Sequence, residues 1–269
     1  MFYIILFAAV AYLLLVACIY GLQRHLMYHT DTDIEPPEHY KLSGFSEYFV
    51  STPDNQTIQF WYHPAAEGFP TVVYYHGNAY TLGDRADIYS NLTAKGFGLL
   101  AVSYRGYGKS TGSPSEQGLY IDARTALQYA TDTLHIPLTH IILYGESLGT
   151  GVAVQMATEY NVAGLVLQSP YTSVEARAAE IYSFVPVEFL IKDKFYTINK
   201  IANVKAPLIL FHGEKDDVIP VEHGRTVFAA ATSQKEAYFF PNTGHNDFDN
   251  NVISEHLLHF AEKYKLITH

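Results

Sequence analysis

The run IILYGESLG at residues 141–149 decides the fold of this chain. Its apolar first part has the composition of a buried strand, and the turn GESLG at 145–149 leads directly into a stretch with helical character. A serine on so sharp a strand-to-helix turn is held in strained backbone geometry. Glycine is needed on both sides of it because larger side chains would collide with the neighbouring strand and helix. The pattern therefore predicts a turn that lifts the hydroxyl of Ser147 clear of a sheet.

From about residue 40 onward, short apolar runs alternate with helical stretches. The apolar runs are continuous, which is typical of strands in a sheet that is covered on both faces. Predicted strands lie at 71–75, 98–102, 141–144, 164–167, 208–211 and 235–240, with a hairpin around Tyr48 and Ile58 and helices near 83–95, 115–134, 148–160, 222–231 and 252–264. This order predicts an α/β fold with a mainly parallel, doubly wound sheet, helices on both faces and an antiparallel hairpin at one edge.

Residues 171–201 interrupt this alternation. The stretch is longer than a single crossover between two strands requires, and it is rich in Ile, Phe, Val, Tyr and Leu. The apolar residues at 181–191 are too dense for a solvent-facing loop, so they either pack on the main domain or line a pocket over Ser147. We therefore predict a short helical cap at 171–201.

The composition excludes two classes of site. The 269-residue chain has a formal net charge of −10, so it lacks the broad basic surface with which proteins neutralise nucleic-acid phosphates. Cys18 is its only cysteine, which excludes an internal disulfide and a cysteine-rich zinc site. We expect no nucleic-acid partner and no metal.

The chain begins with an unbroken apolar run, and its first strongly ionised side chain is Arg24. A bilayer core needs about 20 such residues in a helix, so residues 1–23 are predicted to be an uncleaved, single-pass transmembrane anchor. Two alternatives remain: a signal peptide, which normally has a basic start and a shorter apolar stretch, and a lipoprotein processed before Cys18. Arg24, just after the predicted span, favours a cytoplasmic position for the rest of the chain.

Residues 24–39 are predicted to connect the anchor to the main domain at 40–269. The pair Pro36-Pro37 stiffens this connector and forbids a regular helix there. On this division the anchor and the main domain are separate units. A chain that starts near residue 40 would then be expected to keep any activity on small soluble substrates.

A serine hydroxyl needs a base to accept its proton, and the base needs a third group to orient it. Among 13 histidines, His245 is chosen because it follows the predicted last strand in a polar turn, at the sheet edge where Ser147 is expected. The acid should lie between these two residues in sequence, and Asp216, in the loop after the preceding strand, is the best placed. Asp217 and Glu214 remain alternatives, since a one-residue slip reverses the direction of a side chain.

Backbone amides near Ser147 are candidates to stabilise negative charge on a substrate oxygen. The amide of Leu148 lies at a helix N-terminus, where the positive end of the helix dipole favours an anion. The segment HGN at 76–78 follows a predicted strand, which is the loop position expected to give a second donor. The amide of Asn78 is the preferred donor and that of Ala79 the alternative, whereas His76 is interpreted as a packed structural histidine.

These segments together resemble the α/β-hydrolase superfamily. The resemblance runs from about residue 40 to the C-terminus and is carried by GESLG at 145–149, HGN at 76–78, YRGYGKS at 104–110, HG at 212–213 with Asp216 and Pro220, and GH at 244–245. The run SPYTS at 169–173 and the cap after it resemble the membrane-anchored abhydrolase-domain branch, related to acyl-protein thioesterases and to monoacylglycerol or lysophospholipid lipases. In this family Arg105 and Asp122 fall where a structural salt bridge supports the active-site loops.

The resemblance implies a serine hydrolase with Ser147, Asp216 and His245 as its triad. The amides of Leu148 and Asn78 are expected to bind the oxyanion. The expected substrate is a carboxylic ester or thioester with an apolar acyl chain, either a small molecule or a lipid-linked one, cleaved through an acyl-enzyme without a metal or cofactor. A serine peptidase-like hydrolase and a non-enzymatic binding protein on the same fold are the alternatives.

Overall fold

The structure is a computed structural model that describes residues 1–268, and an eight-stranded sheet lies at its centre. The strands are β1 Ser46–Ser51, β2 Thr57–His63, β3 Thr71–Tyr75, β4 Gly98–Ser103, β5 Ile141–Glu146, β6 Gly164–Gln168, β7 Leu208–Gly213 and β8 Lys235–Phe240. Their order across the sheet is β1-β2-β4-β3-β5-β6-β7-β8. Only the pairs β1–β2 and β2–β4 are antiparallel among these neighbours. The predicted parallel sheet with an antiparallel hairpin at its edge is confirmed.

Helices cover both faces of this sheet, as predicted. They are α1 Phe2–Met27, α2 Ala86–Ala94, α3 Glu116–Asp132, α4 Leu148–Glu159, α5 Val174–Ile181, α6 Val187–Leu190, α7 Ile198–Ile201, α8 Val221–Ala230 and α9 Asn250–Lys263. Strand β5 shows why its apolar run is continuous: Ile141 and Leu143 belong to the core under α3 and α4, whereas Ile142 and Tyr144 belong to the core under α2 and α9. Both sets are fully buried, and each such side chain contributes about 1.5–3 kcal/mol to folding.

The parallel register brings several strand ends to one edge of the sheet. Tyr75 at the end of β3 pairs with Gly145 in β5, and Glu146 pairs with Gln168 at the end of β6. The loops that follow β3, β5, β7 and β8 therefore emerge side by side. In open parallel sheets this carboxyl edge is where ligand sites are found.

The predicted cap region contains α5, α6 and α7, and its apolar residues divide between two environments. Val185 and Val187 are buried, which is the packing role expected for part of this segment. Ile181, Phe184 and Phe189 are instead exposed by 53%, 53% and 79% of their surface. The N-terminal helix approaches the cap at Phe184, because the hydroxyl of Tyr12 donates to the carbonyl of this residue (2.9 Å).

Helix α1 is long and apolar enough to cross a membrane, with a mean hydropathy of 2.8 over its most apolar window. It ends at Met27, four residues beyond the predicted end of the anchor at residue 23. The next residue, Tyr28, is buried in the main core, and Pro37–Tyr40 form a short 3-10 helix that begins at the proline. The segment predicted to be a connector is thus packed on the main domain over part of its length.

Candidate active site

The turn at 145–149 has the strained geometry that its sequence predicts. Ser147 has φ 51° and ψ −117°, a left-handed conformation that is uncommon for a residue with a side chain, and α4 begins at the next residue. A Cβ atom on Gly145 would lie 2.6 Å from the carbonyl oxygen of Gly149, and one on Gly149 would lie 2.0 Å from that of Tyr75. Neither distance is compatible with a side chain. The two glycines are therefore required by the close approach of α4 to β3 and β5.

Ser147, His245 and Asp216 come together at the carboxyl edge of the sheet. The Nε2 atom of His245 lies 3.0 Å from Oγ of Ser147, and its Nδ1 atom lies 2.7 Å from Oδ2 of Asp216. With Asp216 ionised, Nδ1–H donates to the carboxylate, which leaves Nε2 free to accept the serine proton. The three residues come from the loops after β5, β7 and β8, so the fold brings together groups that lie up to 98 residues apart.

The loop after β7 distinguishes Asp216 from the two alternative acids. Asp216 is buried, whereas Glu214 and Asp217 are exposed, and Glu214 forms an ion pair with Arg225 at 2.6 Å. The other carboxylate oxygen of Asp216, Oδ1, accepts hydrogen bonds from the amides of Val218 (3.0 Å) and Ile219 (2.7 Å).

These contacts keep the Asp216 carboxyl ionised. Burial on its own raises the pKa of this group, but hydrogen bonds from His212, His245 and the Ile219 amide together hold it well below its ordinary range. Asp216 is therefore a carboxylate at neutral pH, oriented by its loop and directed at His245.

The two predicted oxyanion donors flank the serine. Leu148 is the first residue of α4, and Asn78 lines the same cavity as Ser147. Neither backbone amide donates to another atom within residues 1–268, so both are available to a substrate oxygen. The carbonyl of Asn78 accepts from the hydroxyl of Tyr107 (2.8 Å) and from the amide of His29 (2.9 Å), and these contacts hold the peptide unit between Asn78 and Ala79, which carries the alternative donor amide.

An ion pair that the sequence did not predict links the loop that contains Asn78 to the turn that contains Ser147. Nε and Nη2 of Arg85 lie 2.6 and 2.9 Å from the two carboxylate oxygens of Glu146, and the hydroxyl of Tyr74 donates to this carboxylate at 2.7 Å. The same guanidinium donates to the carbonyls of Ala79 (3.1 Å) and Thr81 (3.0 Å). Arg85 therefore holds the loop that contains Asn78 against the residue before Ser147. The only feature of the sequence that pointed to this ion pair was Glu146 inside GESLG, because a carboxylate in a buried turn needs a cation as its partner.

Removal of Arg85 is expected to destabilise the protein strongly. Its side chain is 8% exposed and that of Glu146 is 18% exposed, so Arg85→Ala leaves a largely buried carboxylate without its partner. The expected loss in free energy of unfolding is about 3–5 kcal/mol. Arg124→Ala is the matched control, because Arg124 also forms a bidentate ion pair, with Glu159. The side chains of this pair are 37% and 27% exposed. The expected cost of this variant is about 0–1 kcal/mol. Thermal unfolding of both variants measures the difference, and equal shifts would contradict the role given to Arg85.

His76 is a buried histidine in the loop that contains Asn78, and its surroundings hold it neutral. Its Nδ1–H donates to the carbonyl of Gly77 (2.7 Å), and its Nε2 accepts a long bond from the amide of Tyr104 (3.4 Å). Burial, helped by the positive charge of Arg85, lowers the pKa of His76 to about 3. The side chain therefore has the structural role that was predicted for it.

The low pKa of His76 predicts a loss of stability in acid. Below about pH 6.5 the unfolded chain protonates this histidine, while the folded chain does not until the pH is near 3. Since the unfolded state then binds more protons, the free energy of unfolding falls by about 1.4 kcal/mol per pH unit on this account. His76→Gln removes this contribution. Unfolding measured from pH 7 to pH 4 should show a steeper fall for the natural protein than for the variant, and parallel curves would exclude the assignment.

Arg105 and Asp122 form the buried salt bridge expected beneath the loops. Nη2 of Arg105 lies 2.8 Å from Oδ1 of Asp122, which is fully buried. A second acid, Asp54, lies 2.7 Å from Nη1 of the same guanidinium, and Arg105 lowers the pKa of Asp54 to about 2. This network ties β4 to α3 and contacts neither Ser147 nor His245.

A cavity of about 260 Å³ opens beside Ser147 and Leu148. Its walls are mostly apolar and come from the cap and from α1, with Ile181 and Leu190 on one side and Ile19 and Met27 on the other. Within residues 1–268 no group of three or more His, Cys, Asp or Glu side chains is arranged to hold a metal ion. The site can therefore present a serine hydroxyl, a base and two amide donors to a ligand with an apolar portion.

Comparisons with known proteins agree with this fold. The family model described as "Serine aminopeptidase, S33" matches residues 67–192. A protein of Mycobacterium tuberculosis is 36% identical over 231 residues, which is 85% of this chain and 82% of that protein. Alpha/beta hydrolase domain-containing protein 17B of Xenopus laevis is 33% identical over 184 residues, 66% of this chain and 61% of that protein. An esterase of Pyrococcus furiosus has a similar fold, with a TM-score of 0.70 at 18% identity over 88% of this chain and 98% of that one.

The chain belongs to the α/β hydrolases. The Xenopus relative is an abhydrolase-domain protein by its name, and the match spans 61% of that protein. Membership of the α/β hydrolases supports hydrolase activity in the general sense.

Proposed function

We propose that this protein is a serine hydrolase that cleaves carboxylic esters or thioesters of apolar acyl groups through an acyl-enzyme. The observation that carries the proposal is the unbroken hydrogen-bond chain from Ser147 through His245 to the ionised Asp216. A buried carboxylate that orients a histidine, which in turn contacts a serine hydroxyl, is the arrangement that activates serine as a nucleophile.

The geometry supports a two-step reaction. Oγ of Ser147 attacks the carbonyl carbon while Nε2 of His245 takes its proton, and Asp216 stabilises the resulting imidazolium. The negative charge that develops on the carbonyl oxygen is stabilised by the amides of Leu148 and Asn78. Collapse of this intermediate expels the alcohol or thiol, which takes the proton from His245 and leaves an acyl group on Ser147. Water then attacks the acyl-enzyme with His245 again as the base, which releases the carboxylic acid and restores the hydroxyl.

An apolar acyl group is the substrate portion that best fits the cavity. Side chains from the cap and α1 surround it, and burial of each methylene contributes up to about 0.8 kcal/mol to binding. In a series of p-nitrophenyl esters with two to eight carbons, kcat/KM is therefore expected to rise by a few-fold per methylene before it reaches a plateau. A flat or falling profile would contradict an apolar acyl site.

A peptidase activity is the second candidate, because the matched family model is described as a serine aminopeptidase. An aminopeptidase needs an acidic side chain near the site to bind the substrate amine. Asp193 lines the cavity, but Arg24 already neutralises it at 2.7 Å. We therefore expect amino-acyl p-nitroanilides to be cleaved far more slowly than p-nitrophenyl esters, and comparable rates would favour the peptidase.

Helix α1 is proposed to be a single-pass membrane anchor with the hydrolase domain on the cytoplasmic side. Its apolar side chains from Met1 to Leu15 are mostly exposed, which suits lipid and does not suit water. Protease treatment of right-side-out vesicles tests the orientation: a protected domain supports it, and digestion from outside excludes it.

A further inference from the structure

Helix α1 does more than extend away from the domain, because one of its faces packs on the cap. Val16, Ile19, Gln23 and Met27 are the half-buried residues of α1, and the spacing of three or four residues puts them on one side of the helix. The rest of the helix is exposed. A helix that served only as a tether would need no such face.

Polar contacts fix this face against the cap. Nε2 of Gln23 donates to the carbonyl of Leu190 (3.2 Å), and its Oε1 accepts from the amide of Lys192 (2.7 Å). The guanidinium of Arg24 forms a bidentate ion pair with Asp193, in which Nε lies 2.7 Å from Oδ2 and Nη2 lies 3.0 Å from Oδ1.

Asp193 connects this pair to the main domain. Its side chain is 5% exposed, and Oδ1 also accepts from the amide of Glu116 at the start of α3 (3.1 Å). The register of α1 on the cap is therefore specified by directional bonds as well as by apolar contact.

The end of α1 reaches the loop that contains the proposed oxyanion donor. The side-chain amide of Asn78 donates to the carbonyl of Met27, the last residue of the helix, at 2.9 Å. The amide of His29 donates to the carbonyl of Asn78, also at 2.9 Å. The position of Asn78 thus depends on the helix and on the residues directly after it.

The face that packs on the cap also borders the cavity over Ser147. Ile19, Tyr20, Leu26 and Met27 line this cavity from the helix side. On both sides of the seam between α1 and the cap, residues that line the cavity are also exposed on the outer surface: Tyr20 is 44% exposed on the helix and Ile181 is 53% exposed on the cap. Apolar side chains beside the seam therefore reach from the outer surface into the lining of the site, next to the polar contacts of Gln23 and Arg24.

We propose that α1 is one wall of the substrate site, and that the seam between α1 and the cap is the entrance through which an acyl chain of a membrane lipid reaches Ser147 from the bilayer. This inference rests on the proposed esterase function. It adds the source of the substrate and assigns a specificity-determining role to the helix.

The sequence predicted an anchor and an independent domain that starts near residue 40. The contacts of α1 give a different expectation for a chain shortened at that point. A chain without residues 1–39 would lack one wall of the cavity and the contacts of Met27 and His29 with Asn78. Such a chain should lose its preference for long acyl chains even on soluble esters, and not merely its access to membranes.

The test uses the full-length protein in lipid nanodiscs and three variants. Ile19→Trp fills the cavity from the helix side, Ile19→Ala enlarges it, and Leu14→Trp adds the same bulk on the opposite, outward face of the helix. The readout is the ratio of kcat/KM for p-nitrophenyl octanoate to that for p-nitrophenyl acetate. Since each methylene that is excluded costs up to about fourfold, Ile19→Trp is expected to lower this ratio at least about tenfold. Ile19→Ala should move the plateau to longer chains, a gain that misfolding cannot produce, and Leu14→Trp should keep the natural ratio.

A second readout tests the entrance. Turnover of a fluorogenic palmitoyl ester embedded in the same nanodiscs should fall at least about tenfold with Ile19→Trp and remain unchanged with Leu14→Trp. If all three variants keep the natural ratio, α1 is not a wall of the site. If only the soluble octanoate is affected, the seam is not the route from the bilayer. If the natural protein hydrolyses neither acetate nor octanoate, the esterase proposal itself fails, and that outcome is distinct from the other two.

Discussion

Asp216→Asn is expected to lower kcat for ester hydrolysis by about 10⁴-fold. The loop amides of Val218 and Ile219 would hold the asparagine oxygen, so its NH2 group would face Nδ1 of His245 and could not accept from it. The histidine then loses both its favoured tautomer and the charge that stabilises its imidazolium. Asp217→Asn is the matched control, since Asp217 is the neighbouring residue and is exposed. It should retain nearly the full rate. Steady-state kinetics with p-nitrophenyl butyrate measure both variants, and the reverse order of losses would move the orienting role to Asp217.

Ser147→Ala is expected to lower kcat by about 10⁴- to 10⁶-fold while the fold remains intact. The shape of the turn comes from Gly145 and Gly149 and does not require the hydroxyl. Because Ser147 has a positive φ, Ser147→Gly should be equally inactive and also more stable, by about 1 kcal/mol or more.

Ser90→Ala, on the exposed surface of α2, is the control for both Ser147 variants and should change neither rate nor unfolding temperature. Residual activity above a few per cent in Ser147→Ala would exclude this serine as the nucleophile. A Ser147→Gly protein less stable than the natural one would show that the turn is not strained.

The sheet could be predicted because its signals are local. Continuous apolar runs such as 141–144 indicate strands that are buried on both faces, and the structure places them in one parallel sheet. The turn at 145–149 fixes where the serine lies. The fold then restricts the base and the acid to the loops after two other strands, so His245 and Asp216 could be proposed from position and residue type.

The features that could not be predicted depend on contacts between distant segments. Arg85 and Glu146 lie 61 residues apart, and nothing around Arg85 indicates its partner. An apolar run such as 1–23 has the same composition whether it only crosses a membrane or also packs on a cap. The helix ends at Met27, Tyr28 is buried and Arg24 pairs with Asp193, and no local pattern specifies any of these three features.

Two properties of the site follow from these distant contacts. Arg85 connects the loop of Asn78 to the serine turn, so the relative position of the proposed nucleophile and the proposed oxyanion donor depends on a buried ion pair. The end of α1 approaches the same loop from the opposite side, through Met27. The proposed oxyanion site is therefore held between the hydrolase core and the N-terminal helix, which links any change in the position of the helix to the chemistry.

The central claim is that Ser147 is the residue that becomes acylated, and covalent labelling tests it most directly. The full-length protein, incubated with a fluorophosphonate probe and digested, should carry a single adduct per chain, mapped by mass spectrometry to the peptide that contains Ser147. Labelling should disappear in Ser147→Ala and persist in Ser90→Ala. An adduct on another residue, or no adduct on folded natural protein, would contradict the account.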